Sequence, residues 1–311
     1  MRRLLALTLV VSAAVLSGCA PTRGADKAHI VVTTNILGDV VQMMVGDDAE
    51  VMTLMKPNAD PHSFEISAQQ AARMSQADLI VANGLGLEEG LEQHLSRVTK
   101  AGGKVFAAGD HLTPLPYSSG DAAGTPDPHF WTDPARMIDV VNALEGMLSG
   151  VHGINPSALA ERVAGYRDSL EHLDRDMGES FAAIPSARRA LVTNHHVFGY
   201  LADRFAFRVI GAVIPGGTTL AAPSAADLNA LAEAIKQAGV PAIFAESSQP
   251  DRLVQVLARE AGVAVDVVAL YTESLSEPGE AAETYLAMMR TNTDRIATAL
   301  TKETTHQRGT P

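Results

Sequence analysis

Two copies of an acid-proline-histidine tripeptide are the residues of this chain best suited to chemistry. Asp-Pro-His occurs at residues 60–62 and again at 127–129, and Asn-His-His follows at 194–196. Each proline has a fixed φ and pushes the residue before it towards extended conformations, so His62 and His129 are presented from stiff turns. Neutral imidazoles held in place near neutral pH bind borderline metals such as Zn²⁺ and Mn²⁺. The pattern therefore indicates a metal-binding protein.

The predicted strands place further candidate ligands near these two histidines. His62, His195 and Glu273 each come shortly after a predicted strand, and His129 lies in a loop that leads into a helix. In an open α/β sheet, ligands bind beyond the carboxyl ends of the strands. Two of the four residues come from each half of the chain, so we expect the metal in a cleft between two domains. Three imidazoles and one carboxylate complete a tetrahedral zinc shell, and a bidentate Glu273 raises the number of ligand atoms to five.

Two neighbouring residues are alternatives for this site. Glu246, at the end of a predicted strand, is either a partner that supports a ligand or itself the fourth ligand in place of Glu273. Of His195 and His196, only one is expected to bind the ion, because successive residues at a strand–helix junction point in different directions.

Short β-branched strands alternate with helical patterns in both halves of the chain. Such alternation predicts βαβ units and mostly parallel sheets. Between the halves, apolar residues at spacings of three and four predict one long helix over residues 157–181. We therefore predict an α/β fold of two lobes, each with a mostly parallel sheet flanked by helices, joined by one long rigid linker helix. The predicted division is a lipoprotein signal peptide at 1–18, a tether at 19–28, an N-terminal lobe at 29–155, the linker helix at 156–184 and a C-terminal lobe at 185–311.

The N-terminus has the pattern of a secretory signal peptide. Arg2 and Arg3 precede an apolar run, and small residues lead to Cys19, the only cysteine of the chain. Residues 16–19 (Leu-Ser-Gly-Cys) resemble a bacterial lipobox, in which the peptide is cut before the cysteine and the cysteine is lipidated. We expect Cys19 to be the lipid attachment site that holds the protein on the membrane. The alternative is an ordinary secreted protein with one idle thiol, and neither version allows an intramolecular disulfide.

Length and charge narrow the function further. The chain has 311 residues, more than one typical core requires, so two domains are the default. Its formal net charge is −12, which argues against a nucleic-acid partner and favours attraction of cations. We expect a monomer that binds a divalent metal ion.

Five stretches carry a family resemblance, at residues 30–39, 60–65, 127–134, 193–200 and 270–276. Together they resemble the substrate-binding lipoproteins of bacterial zinc/manganese ABC transporters, the cluster A-I or TroA-like family. The resemblance covers essentially the whole chain after the signal peptide and implies two α/β lobes bridged by a rigid helix. It also implies that His62, His129 and His195 are metal ligands. The fourth ligand of the family is usually the Asp of a Thr-Asp-Ser triplet, whereas this chain has Glu273 in that place, and it lacks the His- and Asp-rich loop of many zinc-specific members.

The resemblance implies an extracytoplasmic binding protein that captures a metal ion and delivers it to a membrane permease. Three histidines and one carboxylate favour Zn²⁺ as the transported ligand, with Mn²⁺ as the alternative. Two other classes are rivals: a secreted zinc hydrolase, for which no His-Glu-x-x-His motif is present, and a surface adhesin. We therefore predict a transport protein and not an enzyme. Because a bound imidazole must be deprotonated, we expect metal affinity to fall as the pH drops below about 6.5.

Overall fold

The structure of the protein is a computed structural model that describes residues 27–118, 120, 122–214, 216–248, 252–260 and 265–302. The predicted signal peptide, Cys19 and most of the predicted tether lie outside the described residues. Within the described ranges, none of the helices is both long and apolar enough to cross a membrane.

The first half of the chain forms a four-stranded parallel sheet with a helix between each pair of successive strands. Its elements are β1 (Ala28–Val32), α1 (Asn35–Val45), β2 (Ala49–Thr53), α2 (Ala68–Met74), β3 (Leu79–Ala82), α3 (Glu92–Lys100) and β4 (Val105–Ala107). The strands lie in the order β2-β1-β3-β4, and all pairs are parallel. The direction of winding reverses between β1 and β3, which is where an open α/β sheet offers a crevice for ligands.

The second half repeats this arrangement. After two helices, α4 (Pro134–Leu148) and α5 (Pro156–Ala182), the elements are β5 (Ala190–Thr193), α6 (Gly199–Phe205), β6 (Arg208–Ala212), α7 (Ala225–Ala238), β7 (Ala242–Glu246), α8 (Arg252–Glu260), β8 (Asp266–Leu270) and α9 (Tyr285–Thr301). The strand order is β6-β5-β7-β8, again all parallel, so the reversal lies between β5 and β7. The predicted α/β fold of two parallel sheets flanked by helices is confirmed.

The long helix α5 lies between the two sheets. It begins where the sequence predicts, because the Asn155 side chain accepts hydrogen bonds from the amides of Ser157 and Ala158 and Pro156 occupies the first turn. Its 27 residues bury one face, and the helix packs against α1 and α4 of the first half and α9 of the second. The buried residues of that face are Leu159, Val163, Tyr166, Leu170, Leu173, Met177 and Phe181.

One continuous apolar core joins the two sheets. Successive strand residues point to opposite faces, so Ile30 and Val32 of β1 face the shared core, whereas Val31 packs into a separate cluster on the outer face. Leu191 of β5 faces the shared core in the same way, and Val192 lies in an outer cluster. The shared core therefore fixes the carboxyl ends of both sheets relative to each other, and those ends carry the predicted metal ligands.

Candidate metal centre

The four predicted metal ligands meet at one point between the two sheets. The ligand atoms of His62, His129, His195 and Glu273 all lie within 4.8 Å of one another. Glu273 Oε1 is 3.2 Å from His62 Nε2, 3.1 Å from His129 Nε2 and 3.0 Å from His195 Nε2. Ligands about 2.1 Å from a tetrahedral zinc ion lie about 3.4 Å apart. The three distances from Glu273 Oε1 are thus within a few tenths of an ångström of that tetrahedral spacing.

The centre is sealed from solvent. His129 and His195 are 0% exposed, Glu273 is 1% exposed and His62 is 2% exposed. Four ionisable side chains at such depth are stable only when they neutralise one another or bind a metal. Because the four side chains are at most 2% exposed in this conformation, residues around the centre must move before an ion can enter or leave.

Both Asp-Pro-His tripeptides adopt the same turn. The amide of His62 donates to Asp60 Oδ1 at 2.9 Å, and the amide of His129 donates to Asp127 Oδ1 at 2.9 Å. An aspartate that accepts the amide two residues later closes an Asx turn, and the proline between holds φ fixed. The aspartate therefore helps to present each histidine, a role that sequence reasoning missed.

Asp127 also fixes the tautomer of His129. Its Oδ1 lies 2.7 Å from His129 Nδ1, so Nδ1 carries a proton whether the imidazole is neutral or charged, and Nε2 faces the centre. Burial disfavours the charged imidazole, but the negative charge of Asp127 and the hydrogen bonds from Asp127 and Glu273 outweigh it and raise the pKa of His129 to about 9. At neutral pH the metal-free protein therefore holds a second proton on His129, at Nε2, and a metal ion must displace it.

His195 and not His196 is the histidine that faces the centre. His195 follows β5, and the Thr193 hydroxyl donates to its carbonyl at 2.6 Å. Its Nδ1 is buried and has no partner among the described residues. His196 is half-buried beside the Tyr117 ring, and burial, followed by the charge of His195, lowers its pKa. The expectation that only one of the two adjacent histidines joins the cluster agrees with this geometry.

Two residues of the first half of the chain hold Glu273 in the centre through its neighbours. The carbonyl of its neighbour Thr272 accepts the indole N–H of Trp131 at 2.8 Å. On its other side, the Ser274 hydroxyl accepts from Asn35 Nδ2 at 2.8 Å. Burial would raise the pKa of Glu273, but the charge of His195 and the hydrogen bonds from the three imidazoles hold it well below its usual range. Glu273 is therefore an anion, and its Oε2 has no partner among the described residues.

Glu246, the alternative fourth ligand, supports Glu273 instead of joining the cluster. Its Oε2 accepts the amide of Thr272 at 3.2 Å, and its Oε1 accepts the amide of Ser248 at 3.1 Å. Burial, together with the negative charge of Glu273, raises its pKa to about 8. The side chain thus fixes the turn after β8 that presents Glu273.

Hydrogen bonds among residues that follow β1 and β3 support the Asp-Pro-His turn of His129. The buried Glu88 carboxylate accepts from the Thr33 hydroxyl at 2.6 Å and from the Asn83 amide at 2.7 Å. Asn83 Nδ2 in turn donates to the carbonyl of Pro128 at 3.0 Å. Burial raises the pKa of Glu88. The ends of β1 and β3 therefore fix the second Asp-Pro-His turn, although no local sequence pattern links these residues.

Tyr117 covers the centre from the loop at 112–128. Its hydroxyl donates to the carbonyl of Gly217 at 2.9 Å and lies 3.4 Å from His129 Nδ1. A Cβ on Gly217 would come within 2.9 Å of the Tyr117 ring, so this close approach needs glycine. Tyr117 is the only aromatic residue of that loop, which is the one signal by which the sequence points to it.

A cavity of about 450 Å³ lies next to the centre. Its walls include Tyr117, Asp127, Thr193, His196 and Phe198, and none of the four candidate ligands lines it. The cavity therefore borders the residues that support the ligands and does not open the metal centre itself.

The chain is similar to proteins of known function over nearly its whole length. Residues 30–299 match the family model of ZnuA, described as zinc-uptake complex component A, periplasmic. The manganese ABC transporter substrate-binding lipoprotein PsaA of Streptococcus pneumoniae is 28% identical over 290 residues, which cover 92% of this chain and 93% of that protein. The iron-binding protein YfeA of Yersinia pestis is 26% identical over 294 residues, which cover 94% of this chain and 93% of that protein.

The fold also matches a solved structure. The periplasmic zinc-binding protein TroA of Treponema pallidum superposes with a TM-score of 0.81 at 29% identity, covering 89% of this chain and 100% of that one. These relatives are named for different metals: manganese, iron and zinc. The match to the family model spans most of the chain. The chain therefore belongs to the ZnuA family of metal ABC transporter substrate-binding proteins, which bind a cargo and catalyse no reaction.

Proposed function

We propose that the protein captures Zn²⁺ outside the cytoplasmic membrane with His62, His129, His195 and Glu273, and delivers it to the membrane permease of an ABC transporter. The observation that carries this proposal is the convergence of three imidazole Nε2 atoms on one carboxylate oxygen, at 3.0 to 3.2 Å, in a sealed centre. These separations are close to the spacing of neighbouring ligand atoms around a tetrahedral zinc ion.

The charge of the centre supports a divalent cation. The buried anions at the site are Glu273 and Asp127, which lies against His129. With three neutral imidazoles, one divalent ion makes the buried group electrically neutral, which avoids the cost of an unpaired charge at this depth. Without the ion, protons on the histidines must supply the positive charge that compensates these two carboxylates.

The donor set favours zinc over manganese. Imidazole nitrogen suits Zn²⁺, whereas Mn²⁺ prefers carboxylate, carbonyl and water oxygens in six-coordinate sites. The intrinsic order of affinities also places Zn²⁺ above Mn²⁺. Mn²⁺ is the alternative cargo within the same family, because Glu273 Oε2 has no partner among the described residues and allows a fifth ligand atom.

A competition experiment tests the proposed cargo. Protein lacking residues 1–19 is stripped of metal, offered equal concentrations of Zn²⁺ and Mn²⁺, and analysed by elemental mass spectrometry. We expect one zinc per chain, with zinc lost or weakened in His62→Ala, His129→Ala and His195→Ala. One manganese per chain in preference to zinc would change the cargo, and no stoichiometric metal of either kind would contradict the proposal.

Delivery requires the closed centre to open, and a few hydrogen bonds between the halves oppose that opening. Tyr117 donates to the carbonyl of Gly217, and the Thr219 hydroxyl donates to Asp60 Oδ2 at 2.5 Å. We propose that the predicted lobes at 29–155 and 185–311 separate about the helix between them, and that these bonds break in the process.

Tyr117→Phe is expected to release zinc about 2- to 10-fold faster, because a hydrogen bond contributes about 0.5–1.5 kcal/mol to the closed form. Stopped-flow release into a chromophoric chelator measures the rate. Tyr166→Phe is the matched control, since the Tyr166 hydroxyl is buried on α5 without a partner among the described residues. Equal release rates for Tyr117→Phe and the wild type would show that this bond does not hold the closed form.

We further propose that Cys19 carries the lipid that anchors the protein to the membrane, as the lipobox pattern at residues 16–19 indicates. Relatives such as PsaA are named as lipoproteins. In cells that express the full chain, Cys19→Ala is expected to abolish incorporation of radiolabelled fatty acid and to move the protein from the membrane to the soluble fraction. Labelling that persists in Cys19→Ala would place the lipid elsewhere.

A further inference from the structure

We propose that Gly199 is a positioning residue for the metal centre. Its missing side chain lets the first residue of α6 close onto the Asp127 carboxylate, which in turn holds His129. A Cβ built on Gly199 would lie 2.5 Å from Asp127 Oδ2, a distance that no relaxed contact allows. The inference rests on the proposed metal site and extends it to a residue of the second half of the chain.

Asp127 has little freedom to avoid such a contact. It is 2% exposed, and its Oδ1 accepts both the amide and the Nδ1 proton of His129, at 2.9 and 2.7 Å. Rotation of the carboxylate to move Oδ2 away from a methyl group would also move Oδ1. The bond that selects the His129 tautomer would then be strained or lost.

The main chain of Asp127 is clamped by the residue that follows Gly199. The Tyr200 hydroxyl donates to the Asp127 carbonyl at 2.8 Å and accepts the Leu115 amide at 3.0 Å. The Asp127 amide donates to the Leu115 carbonyl at 2.8 Å. The segment cannot back away from α6 without breaking these bonds, so the start of α6 and the Asp127 turn form one packed unit.

The conformation of Gly199 does not itself call for glycine. Its φ is not in the left-handed region, where several other glycines of the chain lie, and it is a helical residue, for which alanine is the stronger helix former. Considered as a helix residue only, Gly199→Ala should stabilise the protein. The tight space in front of Asp127 Oδ2 is therefore the reason for glycine at this position.

Zinc affinity of protein lacking residues 1–19 tests the proposal, measured by competition with a chromophoric chelator. Gly199→Ala is expected to bind zinc about 10- to 100-fold more weakly, the range for changes to groups that orient a metal-bound histidine. Gly178→Ala on α5 is the matched control, because a Cβ there meets nothing within 4 Å, and it should bind within twofold of the wild type. Wild-type affinity in Gly199→Ala would overturn the proposal.

A double-mutant cycle identifies the contact responsible. In the Asp127→Ala background the carboxylate oxygen is gone, so adding Gly199→Ala should cost no further affinity. If Gly199→Ala alone folds poorly because of the clash, the Asp127→Ala background should restore folding, since it removes the atom that clashes. An equal loss in both backgrounds would show that alanine acts elsewhere and would overturn the proposal.

A readout without metal separates this proposal from the proposed function. In metal-free, ¹⁵N-histidine-labelled protein, the Nδ1 proton of His129 should give a low-field signal because of its bond to Asp127. Gly199→Ala should shift or remove that signal, whereas Gly178→Ala should leave it unchanged. An unchanged signal in Gly199→Ala would overturn the positioning role, even if the wild type binds zinc. Failure of the wild type to bind any metal would count against the proposed function alone.

Discussion

Glu273→Gln is expected to lower the affinity for zinc by at least about 100-fold, the upper end of the range for groups that merely support a ligand. Glu273 is the only carboxylate among the four converging side chains, and its Oε1 is within 3.2 Å of all three imidazole nitrogens. Glutamine has nearly the same shape but no charge. The bound ion would therefore keep three neutral nitrogens and lose the anion that compensates its charge.

Glu246→Gln is the matched control for this prediction. Glu246 is also a buried glutamate near the end of a strand, but it accepts the amides of Ser248 and Thr272 and does not reach the cluster. A glutamine carbonyl can accept one of these bonds, so we expect a loss of about 10-fold or less. Titration calorimetry with a competing chelator measures both variants. A larger loss in Glu246→Gln than in Glu273→Gln would exchange the roles of the two residues.

The choice between these two glutamates illustrates where sequence reasoning ends. Both follow apolar strands of the second sheet, and both were candidates for the fourth ligand. The structure separates them by the path of the turn after β8, which Trp131 and Asn35 of the first half hold in place. Such contacts across 141 and 239 positions of the chain leave no local pattern.

The fold was accessible from the sequence because its signals are local. Short β-branched strands alternating with helices predict parallel sheets, and the long helix α5 shows both a regular apolar face and an Asn-Pro start. A helix after His196 was expected, but the bounds of the short helix α6 were not predicted. It has seven residues, starts at Gly199 and has no side-chain cap, so neither propensity nor capping marks it.

His62 and His129 could be predicted from the sequence for a related reason. Each Asp-Pro-His unit is a self-contained turn, in which the aspartate accepts the histidine amide. Three consecutive residues are thus enough to predict that the imidazole is rigidly presented. The features that tune the centre (the Asp127 contact to Nδ1, the Tyr117 cover and the space at Gly199) depend on tertiary packing and appear only in the folded chain.

Zinc affinity is expected to rise about ninefold from pH 7 to 8 and about fivefold from pH 8 to 9, because metal binding must displace one proton from His129. From the sequence, an ordinary imidazole places this change below about pH 6.5. Burial opposes the charged form, but the contacts with Asp127 and Glu273 raise the pKa of His129 to about 9. The pH range over which affinity changes therefore moves upward, and the affinities at pH 7 and pH 9 should differ about 50-fold.

The stability of the metal-free protein should change in the opposite direction. The pKa of His129 is higher in the folded than in the unfolded chain, so its protonation stabilises the fold fully below about pH 6.5, and this contribution is lost as the pH rises through about 9. The pKa of Glu273 is lowered, so its contribution is present above about pH 4.5 and is lost as the pH falls through its folded pKa. Between pH 7 and 9, zinc should therefore raise Tm by an increasing amount.

Asp127→Asn tests the cause of this pH dependence. An amide cannot supply the negative charge that raises the pKa of His129, so the pH at which zinc affinity levels off should move down towards the ordinary imidazole range. Chelator competition at pH 6, 7, 8 and 9 measures the profile for both proteins, and thermal unfolding with and without zinc gives the matching change in Tm. A wild-type affinity that is flat from pH 7 to 9 would show that His129 binds zinc without releasing a proton. It would then follow that Asp127 orients the imidazole without holding it charged.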